Sequence, residues 1–545
     1  MSMDKSMKRF FLFPLMVAAF PIVVNAAPHT LRHVASASHE FKMDEPVAFD
    51  TSYTTEQARA MTAHAKEEGS RRVAATDSID EATAISEQAR NIRNSLIGGP
   101  IFTDGQKVAD APGAKSADDL DKLLRTLGQN FAAGKYTESD AKVLAAELLM
   151  AKPFRGFVYR GRNIFETSSG NARLTHAAMV TALRTSAAGL DVYLPTAHWK
   201  AGFNYSVEPT YSQQDAGCAT EATWSSKCDI RNGTTFQVWV RKEVLPQLVI
   251  LNRTLNSVRF TKPVYIDNKI FFSDANFVSS KDRFVRMGEA ERMAMMSGVE
   301  AAMSSLYAIN AFQFEGLFES ADSLAKVYGF DATFSAQTST SQDRYNAVRK
   351  YPGLFKYKAQ DPMAPKFMDA AYKAMKSSLQ NAHFAYLALN GHQDDAEMQA
   401  NLLDPRLVAP FARIINMGFQ NSYGAVGISD QGADLGQGDV MSAVVNGEKV
   451  TIHMKNFFDN PPASLQDFMP TQFQSGNEWL TKNVDGKPVK YRNYENGRAT
   501  GWNYAVYSKY FDGANSAGDV ARISRVLSQS WGGMPLAGAL GLVMF

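Results

Sequence analysis

The stretch TTFQVWVRKEVLPQLVILN, Thr234 to Asn252, decides how the middle of this chain is read. It is rich in β-branched and aromatic residues, and Pro246 divides it into two apolar runs of about strand length. Residues of that kind suit a pleated, half-buried surface, so both runs are read as strands. Neighbouring segments share the character. FRGFVYRG begins at Phe154, and KPVYIDNKIFFSD begins at Lys262 and reads as two strands around an IDNK turn. A helix from Leu174 to about Ala188 interrupts them. Residues 153–285 are therefore expected to form a mixed, β-rich region.

Helical patterns flank this region. Ser78-Ile-Asp-Glu81 has the form of a capping box, in which hydroxyl and carboxylate each serve one orphan backbone N–H. Ile85, Ala89, Ile92 and Leu96 follow at helical spacing, and Gly98-Gly99-Pro100 stops the helix. A second helix is expected from Ser116 to near Gly128 and a third from Thr137 to about Lys152. TDGQKVADAPGAKS, Thr103 to Ser116, is read as a turn or linker between the first two. Residues 77–152 thus make a helical module.

Residues 286–418 read as mainly helical. Met293, Met296, Val299, Met303 and Leu306 step by three or four. Thioethers can bind copper(I), but a core helix needs the same spacing and methionine fills core gaps well, so the stripe is read as core. A long helix is expected over Pro365 to Leu389. Residues 419–545 turn to hairpins. Asn446-Gly447 and Asp485-Gly486 sit between alternating runs, and Asn496-Gly497 repeats the pattern loosely. The expected class is α+β and multi-domain, with helical modules and antiparallel hairpins in the middle and C-terminal regions.

The N-terminus carries an export pattern. Lys5, Lys8 and Arg9 precede the apolar run Phe10 to Val24, and Val24-x-Ala26 suits signal peptidase. Residues 1–26 are read as a signal peptide and 27–76 as a flexible leader with four scattered histidines, His29, His33, His39 and His64. The signal takes three basic residues and Asp4. That leaves 54 of the 57 Lys+Arg and 54 of the 55 Asp+Glu, a neutral mature chain. Nucleic-acid binding would need a basic surplus, so it is not expected. No later run reaches 18 apolar residues, so no membrane-spanning segment is expected in the mature chain. Export with one pair of cysteines fits a bacterial periplasm, outer-membrane association or the cell exterior.

Cys218 and Cys228 are expected to form a disulfide that pins a small loop displaying Trp224. No histidine lies between them to complete a zinc site, and Cys-x-x-Cys spacing is missing. Catalytic signatures are scarce. His-Glu-x-x-His, Gly-x-Ser-x-Gly, the Walker loop and Gly-x-Gly-x-x-Gly do not occur. Ser323-x-x-Lys326 and Ser475-x-Asn477 resemble two signatures of the penicillin-recognising serine enzymes, but the third, Lys-Thr-Gly, does not follow. DQGADLGQGD at Asp430 is read as a flexible loop rather than a calcium loop, and GHQDDAE at Gly391 as an exposed helix start. No catalytic residue, metal or cofactor is assigned.

Contact residues are expected among the aromatics instead. Trp502 and Tyr504 would share one strand face, able to stack a sugar or hold a partner. Phe545 ends an uncharged apolar tail that needs a cover. The functional expectation is an exported envelope protein that acts as a structural or interaction subunit, as in a secretion system, with other envelope proteins as partners. The alternative is an envelope hydrolase or glycan-binding protein acting on peptidoglycan or polysaccharide.

Overall fold

The computed structural model describes residues 53, 55–74, 85–114, 117–150, 152–154, 222–225, 228–258, 260, 264–267, 284–317, 319–320, 346, 348–389, 440–445, 448–469, 471–473, 479–484, 487–492, 499–500, 502–516, 518–520 and 522–523. They are mostly helical, with short antiparallel strand pairs, an α+β mixture.

Helix α1, Thr55–Ala74, lies inside the stretch expected to be a flexible leader. It is ordered because one face carries Ala58, Met61 and Ala65, which are buried against Ala290, Met293, Phe384, Ala385, Leu387 and Ala388. The polar composition that suggested a leader belongs to the opposite face. Helix α2, Glu87–Ile97, starts later than the Ser78 pattern implied. Its N-cap is Ser86, whose Oγ accepts from Ala89 N at 3.1 Å. Ser78 and Glu81 lie outside the described residues.

The expected linker after α2 is in fact a hairpin. Strands β1, Gly99–Thr103, and β2, Gln106–Ala111, pair antiparallel. Asp104 and Gly105 between them have φ of 52° and 76°, the two positive values that a type I′ turn requires. Asn91 of α2 holds the hairpin by a two-way tie. Its Nδ2 donates to Phe102 O at 2.7 Å, and its Oδ1 accepts from Phe102 N at 2.8 Å. Helices α3, Ala117–Ala132, and α4, Ser139–Met150, complete this module.

The quoted stretch is helical, and this is the largest correction to the sequence reading. Helix α5, Gly233–Trp239, passes through a π turn at Val240–Val244 into α6, Leu245–Asn256. Asn232 caps the start. Its Oδ1 accepts from Thr235 N at 2.9 Å, and Thr235 Oγ1 accepts from Asn232 N at 2.9 Å. Pro246 has no N–H to give, and the ladder adapts just before it: Leu245 N donates five residues back, to Val240 O. Phe236, Val238, Trp239, Val240, Val244, Leu245, Leu248 and Leu251 are all buried. The apolar residues come in unbroken runs, Val238–Val240 and Leu248–Leu251, and such short runs on either side of a charged stretch imitate two buried strands.

Strand β3, Val264–Asp267, pairs with β4, Phe284–Met287, and not across the expected IDNK turn. Residues 268–283, the remainder of FRGFVYRG and the Leu174 helix lie outside the described residues. Helices α7, Glu289–Ala311, and α8, Met363–Leu389, are the long elements of the middle. Met293, Met296, Val299, Met303 and Leu306 are buried, as a core stripe should be.

In the C-terminal part β5, Val440–Val445, pairs with β6, Glu448–His453. Its register ends at Val445 opposite Glu448 and leaves two residues for the turn. Helix α9, Met454–Asp459, follows. Strands β7, Gln472–Phe473, and β10, Ala499–Thr500, pair with each other. Strands β8, Trp479–Val484, and β9, Lys487–Arg492, flank Asp485-Gly486. Helix α10 is the short Tyr504–Tyr507. The Asn496-Gly497 turn lies outside the described residues.

Buried side chains from α2 to α8, from β6 and α9, and from Trp502 to Ile523 form one hydrophobic cluster. The face of α1 belongs to a second, smaller cluster. A backbone junction joins the helices to the C-terminal part. Phe355 N donates to Gln313 O at 2.7 Å, and Leu465 N donates to Phe355 O at 3.0 Å. Phe355 itself sits at φ 65°, a strained position for a bulky residue. It is held there by its packing against the Phe314 ring, 5.3 Å away between centroids.

Candidate functional site

The chemistry-bearing side chains of the described residues gather along α7. Its sequence EAERMAMMSGVEAAM places Arg292 and Glu300 in the same stripe as Met296 and Met303, so these charges must be buried with the core. Glu289, Glu291, Arg292 and Glu300 are all fully buried.

At the N-terminus of α7, Arg292 grips Glu289 with two parallel contacts. Nε donates to Oε2 at 2.9 Å, and Nη2 donates to Oε1. Arg292 Nη1 donates to Leu255 O at the end of α6, at 3.0 Å. Glu289 Oε2 also accepts from Phe260 N at 3.2 Å. Glu291 folds back as a cap, its Oε2 accepting from Gly288 N at 2.9 Å. Planar bidentate geometry is what makes arginine effective at burying a carboxylate.

Two turns further on, Glu300 ties three helices. Oε1 accepts from Asn252 Nδ2 of α6 at 3.0 Å, and Oε2 accepts from Asn381 Nδ2 of α8 at 2.8 Å. Tyr53 extends the chain of bonds by donating to Asn381 Oδ1 at 2.9 Å. Ser297 and Ser378 meet in the same seam, where Ser378 Oγ donates to Ser297 O at 2.7 Å. Chemically this seam fixes helix register, because Glu300 takes one amide from α6 and one from α8 at a single height along the helices.

Two acids outside the seam are perturbed by burial. Burial pushes the Glu147 carboxyl of α4 well above its ordinary value. Burial raises Asp140 too, against the opposing pull of the Ser86 N–H, which donates to Asp140 Oδ2 at 2.7 Å. Both acids sit on the helix that carries the most apolar face of the N-terminal module. At the C-terminal side His453 Nε2 lies 2.6 Å from Asp512 Oδ1 on the surface, where Tyr510 O accepts from His453 N. Among the described residues no group of three or more His, Cys, Asp or Glu is placed to hold a metal. No described helix is long and apolar enough to cross a membrane.

The expected contact residues fare differently from one another. Trp502 and Tyr504 do not share a strand face. Trp502 is buried edge-on against Tyr507, 5.8 Å between centroids, and Tyr504 opens α10 with 43% of its surface exposed. The strand reading fails there because Trp502, Tyr507, Tyr510 and Phe511 pack inward as one aromatic cluster around Phe468. Tyr507 donates to Phe468 O at 2.8 Å within it. Burial lifts the Tyr510 phenol to about 12.

Trp224 is not a displayed tip. Its Nε1 donates to Glu243 Oε1 at 2.8 Å, and its ring packs against the main core. Cys228 is buried, its Sγ accepting from Ser225 N at 3.1 Å. Cys218 and Phe545 lie outside the described residues. So do Ser323, Lys326, Ser475, Asn477 and both acidic loops.

The residues missed from sequence are Arg292, Glu289, Glu300, Asn252, Asn381 and Tyr53. One available signal pointed to the first three, namely charges that fall within an apolar stripe. The amides and the tyrosine gave none, because only the packing of α6 and α8 on α7 brings them together.

Compared with protein-family models, with curated proteins and with solved structures, the chain matches none.

Proposed function

We propose that this chain is an exported bacterial envelope protein that works as a structural or interaction subunit of a periplasmic or outer-membrane-associated assembly, such as a secretion system. One observation carries the choice of a structural over a catalytic role. The buried charged side chains of α7 are engaged with one another, with amides and with backbone groups, an arrangement that fixes helices. The export pattern at Lys5 to Ala26 supports the compartment. In this reading the helical modules and the hairpins after residue 440 are parts of one body. The Cys218–Cys228 bond closes a short loop in the oxidising compartment, and Tyr504 and the apolar tail ending at Phe545 are its contacts with other envelope proteins.

The test is native purification of the full chain from bacterial membranes after mild solubilisation. Co-purification of a defined set of envelope proteins in fixed ratio, weakened by Tyr504→Ala, is the expected result. A chain that sediments alone and is retained on insoluble peptidoglycan overturns the reading in favour of a glycan-directed protein. N-terminal sequencing of the same sample should begin at Ala27.

A further inference from the structure

We propose that Asp104 is an isomerisation site built into the β1–β2 turn and that Glu87 shields it. Asp104 and Gly105 form the exposed turn between the two strands. An Asp-Gly pair can close on itself. The Gly105 nitrogen attacks Cγ of the Asp104 side chain in its acid form. An N–C bond forms, the C–OH bond breaks, and a water leaves that carries the amide hydrogen. The cyclic imide then takes a water back at either carbonyl. Opening at the main-chain carbonyl of Asp104 leaves the chain running through the side chain, with one more carbon in the backbone and no net change of atoms. No further reagent is needed.

The turn supplies the electrophile and the space. Asp104 is exposed and holds φ of 52°, in the left-handed region that side-chain-bearing residues seldom enter. Gly105 has φ of 76°, and a Cβ added there would meet nothing within 4 Å, so water has free access. The nucleophile is what the structure withholds. Gly105 N donates to Glu87 Oε2 at 2.6 Å, and Asp104 N donates to Glu87 Oε1 at 3.2 Å. Ring closure requires the Gly105 nitrogen to give up the hydrogen that Glu87 holds, and hydrogen bonds to a carboxylate are among the stronger ones. The negative charge beside that nitrogen also opposes its deprotonation.

Glu87 is well placed to do this. It is the first residue of α2, next to the N-cap Ser86, where the helix dipole favours a carboxylate. The same helix pins the strand that leads into the turn. Asn91 holds both backbone groups of Phe102, and Asn94 Nδ2 donates to Pro100 O at 2.6 Å. Glu87, Asn91 and Asn94 follow at helical spacing, so one face of α2 runs along the hairpin backbone and keeps the turn on Glu87. Loss of the shield would cost the hairpin its register, because a β-linked residue at Asp104 displaces Gln106 from Thr103.

Ageing of the full chain in neutral buffer, followed by peptide mapping for the β-linked residue, tests this. A free peptide spanning Ile101 to Val108 sets the unshielded rate. Wild type is expected to isomerise at Asp104 roughly ten-fold more slowly than the peptide, the scale of one hydrogen bond to a charged group. Glu87→Ala should recover most of that factor. Glu87→Gln, which keeps the volume but offers one neutral acceptor, should recover part of it. Asn91→Ala loosens the strand while leaving both Glu87 contacts, and should stay near wild type. Asp512-Gly513 is read in the same digests and should keep its wild-type rate in every variant. The shield is overturned if wild type ages as fast as the peptide or if Glu87→Ala ages like wild type. It is overturned equally if Asn91→Ala matches Glu87→Ala at Asp104, or if Asp512 accelerates in parallel, since mobility and not Glu87 would then set the rate.

Discussion

The two apolar clusters differ in what they are made of and in what seals them. The main one joins aromatic and long aliphatic side chains from α2 through to Ile523. The smaller one holds α1 with five alanines, two methionines, a leucine and a phenylalanine. Alanine buries little area, and at about 25 cal/mol per Å² it contributes little. The small cluster relies instead on close backbone approach and on polar ties at its rim, Tyr53–Asn381 and His64–Glu289. A main core that folds as a unit and a helix that can leave it at lower free energy are the expected consequence.

The largest effect should come from Gly233, at the start of α5. A Cβ there would lie 1.6 Å from Phe314 O, a backbone atom of the main cluster that cannot step aside. Gly233→Ala should cost about 4 kcal/mol or more and broaden or abolish cooperative unfolding in urea. A variant that unfolds like wild type would show that this contact is not part of the cooperative unit.

The register of the seam comes next. Glu300→Ala removes the acceptor of Asn252 and Asn381 and leaves two buried amides short of a partner. A loss of about 2–4 kcal/mol is expected, with about half of that for Glu300→Gln, which keeps the volume and one acceptor. Both belong to the main unit, so denaturation midpoints should report them. If α1 alone responds, Glu300 serves the smaller cluster through Asn381 and Tyr53, and the comparison needs redrawing.

The same contrast governs what was legible in the sequence. Helices α3 and α8 were readable because each has an apolar and a polar side, and α4 and α7, though largely buried, from the helical spacing of their leucines and methionines. Helices α5 and α6 were not, because their apolar residues come in unbroken runs, Val238–Val240 and Leu248–Leu251, that imitate buried strands, and the half-buried Arg241, Lys242, Glu243 and Gln247 mark a polar side too sparsely to show the period. Helix α1 was missed for the opposite reason. Its buried face, Ala58, Met61, Thr62, Ala65 and Gly69, is made mostly of small residues that carry little hydropathy signal against His64, Lys66 and Glu67. The Asp104-Gly105 hairpin had a readable turn but polar strands, Gln106 to Ala111 being exposed nearly throughout. The site was legible only where a charge interrupted the methionine stripe. The partners Asn252 and Asn381 come from helices 48 and 81 residues away from Glu300, and nothing local marks them.

A smaller and more selective change is available at Gly69. An added Cβ there would stand 2.7 Å from Leu387 O of α8. Alanine favours a helix over glycine by about 1 kcal/mol, so α1 taken alone gains from Gly69→Ala. Its docking should still lose about 1–2 kcal/mol, because a backbone oxygen yields poorly. Exchange protection of α1 should drop while the global unfolding midpoint stays close to wild type. A parallel fall of both would mean that α1 and the main core unfold together.

Protons offer the subtlest way to separate the two clusters, because the main one encloses a buried acid on α4. Glu147 lies in the main cluster, and burial raises its carboxyl well above 4.5. An acid whose folded pKa exceeds its unfolded one binds more protons when native. Its contribution is complete below the unfolded value and is lost as pH rises through the folded one, at about 1.4 kcal/mol for each unit of difference. Glu147→Gln should flatten the fall of Tm with rising pH and leave the exchange protection of α1 unchanged. If the substitution moved both readouts together, the polar seam along α7 would couple the clusters, and α1 would be as firmly part of the fold as the helices it covers.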